Sequence, residues 1–294
     1  MKKILVFILV FITLESKAQP TLLWKIECDT CAKPSYLLGT AHYISGSYFF
    51  QHLALGNLIL TVDAIATESG GTRSIAKYPV DSFFISTPLR NLFTAQQYRM
   101  FSDSFSRYLH ASLDSFPFLS PLAVQIMIQK EKDKMFAKAN PQPVKRDPLI
   151  PLGMDDALEE MARERGIPLY ALESPQQFVK QFFRLTPAKE QAARSFQDLI
   201  GKSPNAIDKC SDSCWKKNDL FCLCACDPEV FYYTGPCDSS FIYARNMNWI
   251  QVIPKWLGKK SVLIACGSLH LCGEAGIIYL LEEKGYRLTP LSYQ

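Results

Sequence analysis

The chain has 294 residues, of which 48% are hydrophobic and 20% charged, with 32 Lys and Arg against 28 Asp and Glu and only four histidines. A nearly balanced charge, with no basic run and no stripe of Lys and Arg interleaved with aromatics, excludes a polyanion-binding surface, so no nucleic-acid partner is expected. The length is enough to bury one large core or two small ones.

The opening stretch, MKKILVFILVFITLESKAQP, carries two lysines, an apolar run from Ile4 to Ile12 and a polar segment ending in Ser16-Lys17-Ala18. This is the layout of a secretory signal peptide, with cleavage expected after Ala18. The apolar run is roughly half of the ~20 residues needed to cross a bilayer, which argues against a membrane anchor. No cysteine follows the cleavage position, so a lipoprotein anchor is not expected either. Residues 19–294 should then be a secreted or periplasmic chain without a membrane span. Loss of Lys2, Lys3, Lys17 and Glu15 leaves it with 29 basic and 27 acidic residues.

Beyond the leader, TLLWKIE and PSYLLGTAHY read as strands, FFQHLALGNLIL as a short helix, and DAIATESG as a buried strand ending at Glu68. Residues from Ile75 to Asn140 are patterned as helices, with breaks expected at Pro88, Pro117 and Pro121, and form a helical cover over a sheet. A proline-rich loop, NPQPVKRDPLIP, leads into the acidic-first helix LGMDDALEEMARERG, which Gly166 should stop. IPLYALES is then a strand with Glu173 at its end, and SPQQFVKQFFRL and TPAKEQAARSFQDLIGK are helices. A cysteine-rich insertion occupies about 205–240. SSFIYARNMNWIQVIPKWL should be one helix feeding the strand KSVLIACG, and the helix GEAGIIYLLEEKG with the strand YRLTPLS closes the chain. Strands alternating with helices indicate an α/β fold with a mixed central sheet and flanking helices, over residues 19–294 as one domain.

Ten cysteines lie beyond the leader, and in an exported chain an even count points to disulfides. Six fall in CSDSCWKKNDLFCLCACDPEVFYYTGPC, where a zinc site is the competing reading because thiolates at these spacings can coordinate a metal. Cys28 and Cys31 precede a strand rather than opening a helix, which favours a structural clip over a redox pair.

The chemistry concentrates at strand ends. YLLGTAHY and VLIACGSLHL each place a glycine at the end of an apolar strand and a histidine three residues on: Gly39 with His42, and Gly267 with His270. Open α/β sheets place ligands at the carboxyl ends of their strands, and a glycine there permits a sharp turn or a close approach. Glu68 and Glu173 also stand where apolar strands expire. Imidazole nitrogens with carboxylate oxygens make the mixed ligand set of a divalent metal that keeps a position open for water. Such an ion lowers the pKa of bound water and polarises a carbonyl, which is hydrolytic chemistry. His52 and His110 lack a partner motif and read as packing or surface residues. FYY at 231–233 reads as packing, and the tryptophans of MNWIQVIPKWLG should face the core.

The ordered set formed by LLWKIE with SYLLGTAHY, DAIATES, LGMDDALEEMARERGIPLYALES and ARNMNWIQVIPKWLGKKSVLIACGSLHLCGEAGIIYLLEEKGY resembles the TraB/GumN family, which includes the Tiki proteins and is related to the erythromycin-esterase (EreA) and ChaN-like proteins. The resemblance covers most of residues 21–291 and is weakest in the helical middle and the cysteine block. It implies that His42 and His270 are metal-associated, with Glu68 as their acidic partner and Arg245, followed by Asn246, as the arginine of the family's R-N helix. It implies the metal-dependent peptidase activity described for Tiki members, with Glu68 or Glu173 taking a proton and Arg245 steadying charge. SPQQ after Glu173 departs from the family pattern, so no role is carried over to Gln176 or Gln177. The expectation is therefore an exported hydrolase acting on a peptide or protein, using manganese, cobalt or zinc, which this ligand set does not distinguish. The other class kept in view is a non-catalytic protein that binds haem, a metal or a peptide in the same crevice.

Overall fold

In the computed structural model, residues 21–41, 44–71, 80–139, 153–184, 187–199, 210, 213–226 and 241–293 are described. The leader with its cleavage position, His42, the proline-rich loop, the aromatic run at 231–233 and Cys237 lie outside them.

Three segments, SYLLGT, AIAT and VLIACG, are apolar almost throughout, the pattern of strands covered on both faces. They form β2 (Ser35–Thr40), β3 (Ala64–Thr67) and β5 (Val262–Gly267), and with β4 (Leu169–Ala171) they make the parallel part of a six-stranded sheet. β1 (Leu23–Glu27) pairs antiparallel with β2 and with β6 (Arg287–Leu291), giving the order β4-β3-β5-β2-β1-β6. The fold is thus α/β with a mixed sheet. β5 lies between β3 and β2, and its register with β2 sets Gly39 against Cys266 and Thr40 against Gly267. The carboxyl ends of the four parallel strands therefore open onto one edge.

The helices cover this sheet and build a second core. α1 (Tyr48–Gln51) and α2 (Leu53–Thr61) connect β2 to β3. α5 (Met154–Arg165) starts with Asp155 and Asp156 in its first turn and ends at Gly166, which takes the left-handed conformation (φ 67°) that a side chain would strain. It packs Met154, Ala157, Leu158 and Ala162 onto the sheet core. α3 (Ala95–Leu109) and α4 (Pro121–Ala139), with Leu113 of the 3-10 turn between them, build the separate cluster of Tyr98, Phe101, Phe105, Leu113, Val124 and Ile128. α3 is held at its start by a reciprocal cap between Thr94 and Gln97 and at its end by left-handed His110. Pro121 opens α4 rather than interrupting a helix, since the first turn needs no N–H from it. Val179 of α6 (Pro175–Arg184) joins the second cluster, and Ser195 of α7 (Ala188–Leu199) donates a hydrogen bond to Gln125 of α4.

After α8 (Leu220–Cys226), the single helix expected before β5 is two pieces. α9 (Phe241–Trp249) stops, and a 3-10 turn follows at Ile253–Lys255, because Pro254 has no N–H to continue the ladder. Trp249 is fully buried and Trp256 packs on Tyr170. His52 sits against Tyr48 and Tyr293.

Among the described residues four disulfides form: Cys28–Cys31, Cys210–Cys226, Cys214–Cys222 and Cys224–Cys272. Pairing is not universal, because Cys266 inside β5 is a buried free thiol. Among the described residues no helix is long and apolar enough to cross a membrane.

Candidate functional site

Three of the four parallel strands, β3, β4 and β5, are each followed within three residues by a polar group at the same edge. Glu68 directly follows β3, Glu173 lies two residues beyond β4, and His270 lies three beyond β5. All three are buried, and so is Arg245 of α9, which reaches in among them. A charge so far from water survives only if it is paired, and here the pairing is dense. Arg245 donates from Nη2 to Glu68 Oε2 (2.5 Å) and to Glu173 Oε1 (2.5 Å), and from Nε to Glu173 Oε1 (2.9 Å). Its guanidinium carbon is 4.5 Å from the centre of a Trp249 ring, 4.9 Å from Phe241 and 5.4 Å from Phe178, so aromatic faces close the remaining sides.

These contacts set the charge states. Burial alone would lower the Arg245 pKa, but Glu68 and Glu173 outweigh it and hold the guanidinium above its ordinary value. For Glu173 burial dominates and raises the carboxyl, with Arg245 opposing and Glu68 adding to the rise. Glu173 Oε2 has no hydrogen-bond partner among the described residues, whereas both oxygens of Glu68 are engaged. Glu68 Oε1 accepts the Gly267 N–H at 2.8 Å and Oε2 accepts from Arg245.

The hydrogen-bond network also fixes the His270 tautomer. Asn246 Nδ2 donates to the carbonyls of His270 (3.1 Å) and Ala275 (2.7 Å), which leaves its Oδ1 as the acceptor facing His270 Nδ1 at 2.6 Å. Nδ1 therefore carries the proton. On the other side Arg245 Nη1, which can only donate, meets Nε2 at 3.1 Å. The imidazole is neutral and its Nε2 lone pair points toward Arg245 and Glu68, whose Oε1 is 4.0 Å away. Trp249 lies along the ring at 4.3 Å between centroids. A neutral imidazole held by a hydrogen bond at its far nitrogen is the form that ligates metals.

The motif glycines act differently from the turn expected of them. Gly39 lies within β2, and a Cβ there would meet Ser268 Cβ at 3.0 Å and its Cα at 3.2 Å, so the glycine admits the segment bearing His270. Gly267 supplies the N–H that Glu68 accepts and begins the 3-10 turn carrying His270.

The structure thus brings together Glu68, Glu173, Arg245 and His270. It also sets Thr40, two residues before His42, in register with Gly267, so the loops after β2 and β5 leave side by side; the His42 side chain itself lies outside the described residues. Sequence reasoning missed the acids of α5. Thr40 donates to Asp155 (2.8 Å), while Thr67 (2.5 Å) and Ser69 (2.9 Å) donate to Glu159. Asp155 and Glu159 are buried and stand four apart. Carboxylates at that spacing share one helix face, and their place beside Leu158 and Ala162 was the available signal. Cys266 lies in the same field: burial first, then Glu68 and Asp155, push its thiol well above the ordinary range.

By donor chemistry the described residues fit a divalent cation in part, through one neutral imidazole nitrogen and one carboxylate. The charge an ion would bring to them is now supplied by Arg245, bonded to both. Among the described residues the sulfurs of Cys210, Cys214 and Cys226 also lie within 4.8 Å of one another, but all three are held in disulfides and offer no thiolate as they stand.

A family model, that of the TraB/PrgY/gumN family, matches residues 22–290. No curated protein and no solved structure matches the chain.

Proposed function

The chain belongs to the TraB/PrgY/gumN family, and with that as premise we propose that it is an exported metal-dependent hydrolase that cleaves peptide bonds at the edge where Glu68, Glu173, Arg245 and His270 meet. The observation that carries this reading is the neutral His270 whose Nε2 lone pair faces Glu68, with Asn246 holding the opposite nitrogen. His270, Glu68 and His42 are the proposed ligands. A divalent ion there would supply an acidified water and polarise the scissile carbonyl. Manganese, cobalt and zinc all suit such a set.

The chain's own groups divide the remaining work. Asn246 keeps the His270 lone pair aimed. Glu173 is the better proton acceptor of the two acids, because its Oε2 is unengaged among the described residues and burial raises its carboxyl. Arg245 steadies negative charge developing on the carbonyl oxygen, using the Nη1 N–H it now spends on His270. Its hydrogen bonds to Glu173 keep it in place meanwhile. Export is supported by the leader-like start and by four disulfides. A relation to the EreA and ChaN-like folds belongs to the same proposal, supported by the mixed sheet with helices around it.

The test is elemental analysis of protein purified without chelators, followed by assay on a peptide mixture with and without manganese, cobalt and zinc. One ion per chain and metal-dependent cleavage are expected. Both should be lost in His42→Ala, His270→Ala and Glu68→Gln at unchanged circular dichroism. Ion uptake without cleavage would replace the hydrolase by a non-catalytic binding protein, and cleavage indifferent to His270 would end the reading.

A further inference from the structure

We propose that the cysteine hairpin is a second, redox-controlled metal site: when its two internal disulfides are reduced, Cys210, Cys214, Cys222 and Cys226 bind one zinc ion through four thiolates.

The spacing comes first. Cys210 and Cys214 are four residues apart, and so are Cys222 and Cys226, which lie on the helix Leu220–Cys226 (α8). Residues four apart on a helix present side chains to one side. The outer pair, Cys210–Cys226, and the inner pair, Cys214–Cys222, then close as two rungs between the arms of a hairpin. Cys224, between Cys222 and Cys226 on α8, is turned elsewhere and bonds to Cys272. Four of the hairpin's sulfurs therefore share one side and the fifth is excluded by the pairing.

The distances are the second argument. The Sγ atoms of Cys210, Cys214 and Cys226 all lie within 4.8 Å of one another, and Cys214 Sγ is 3.5 Å from Cys226 Sγ although the two belong to different disulfides. Zinc–sulfur bonds of ~2.3 Å in a tetrahedron place sulfurs about 3.8 Å apart. The contact between rungs is already near that edge length; the two bonded pairs must separate by about 1.8 Å each, and Cys222 Sγ, which lies outside the 4.8 Å group, must move in toward the other three. Cys222, bonded to Cys214, completes the four.

Third, the hairpin keeps its position without the rungs. Trp215, next to Cys214 on the first arm, is fully buried in the sheet core. Asn218 at the turn accepts the Leu22 N–H at 2.8 Å and exchanges hydrogen bonds with Thr21. Four ligands on an anchored hairpin lose less freedom on binding than four on a loose chain, which favours the metal.

The chemistry balances with a dithiol as the named reductant. Each disulfide takes two electrons and two protons from one dithiol, which becomes a disulfide itself, so two equivalents yield four cysteine thiols. Zinc binding then releases four protons and leaves a complex of charge −2, on a hairpin that also carries the exposed Lys216 and Lys217. Oxidation reverses the sequence and expels the ion.

The test uses the whole mature chain and zinc or cobalt(II) alone. Oxidised protein is compared with protein reduced anaerobically by a dithiol and freed of it, and bound metal is counted per chain. Reduction should add one ion, with the thiolate-to-cobalt charge-transfer band and tetrahedral visible bands of a sulfur-bound cobalt. In unsubstituted reduced protein, zinc should shield Cys210, Cys214, Cys222 and Cys226 from alkylation while leaving Cys28 and Cys31 open, as read by mass spectrometry; this needs no variant to fold. Cys210→Ser should shift the cobalt spectrum to that of three sulfurs. No added ion on reduction, or equal alkylation of all these cysteines with and without zinc, would overturn the proposal. Ion bound to oxidised protein reports instead on the strand-end site, so the two readings fail separately.

Discussion

Replacing Arg245 by methionine removes a positive charge that two buried carboxylates share. In the native chain Arg245 contacts Glu68 and Glu173 within 2.5 Å, and all three are at least nine-tenths buried by residue. Deleting one partner from such a group typically costs about 3–5 kcal/mol, because the charges left behind have lost their compensation. For a chain of this size, with a urea slope near ~3 kcal/mol/M, the unfolding midpoint at pH 7 should fall by about 1–1.7 M. The deficit should depend on pH with a definite sign. Burial already raises the folded-state pKa of Glu173, and loss of Arg245, which opposes that rise, must raise it further. A carboxyl whose folded pKa exceeds its unfolded value binds more protons when folded, so its penalty is full above the folded pKa and disappears below the ordinary value near 4.5. Urea titrations of Arg245→Met at pH 7, 6 and 5 should therefore show the gap to native protein narrowing as pH falls. Adding Glu173→Gln should recover part of the midpoint at pH 7. An unchanged midpoint, or a gap that widens in acid, would refute the idea that Arg245 is the compensating charge.

Asn246→Ala should release His270 Nδ1 and lower metal affinity about 10–100-fold while circular dichroism is retained, with nitrogen NMR of the imidazole showing mixed tautomers. Gly39→Ala forces a Cβ to 3.0 Å from Ser268 Cβ and should cost about 1–3 kcal/mol in chemical denaturation, with altered His270 resonances because the displaced segment carries that ring. Replacing Cys224 and Cys272 together by serine removes a link spanning 48 positions, worth about 4 kcal/mol on loop entropy, which denaturation under non-reducing conditions measures. Cys266, buried with a thiol held well above its ordinary pKa, should resist alkylation in folded protein at pH 8 and react only with unfolding.

The strands were legible because β2, β3 and β5 are near-continuous apolar runs, a pattern that does not depend on partners. Glu68, Glu173 and His270 were legible for a related reason: the first polar residues after such runs fall at the strand ends, and parallel strands put their ends together. The arginine came from resemblance, since nothing local distinguishes Arg245 on α9 from a surface residue. Two features could not be read from one dimension. Asp155 and Glu159 look like ordinary acids of a helix start until their threonine partners, 115 and 92 positions away, are placed. The pairing of cysteines depends likewise on which helix side each faces, which put Cys224 with Cys272 rather than with its neighbours and left Cys266 alone.

The alignment of Thr40 with Gly267 turns the backbone ladder between β2 and β5 into a ruler. A strand advances about 3.3 Å per residue and reverses facing at every step. One residue gained or lost inside β5 would thus slide His270 off Arg245 and Glu68 and swing the neighbouring positions to the opposite side. Tolerance for insertions is consequently confined to the connections between strands, where length can drift without moving the zero of the scale.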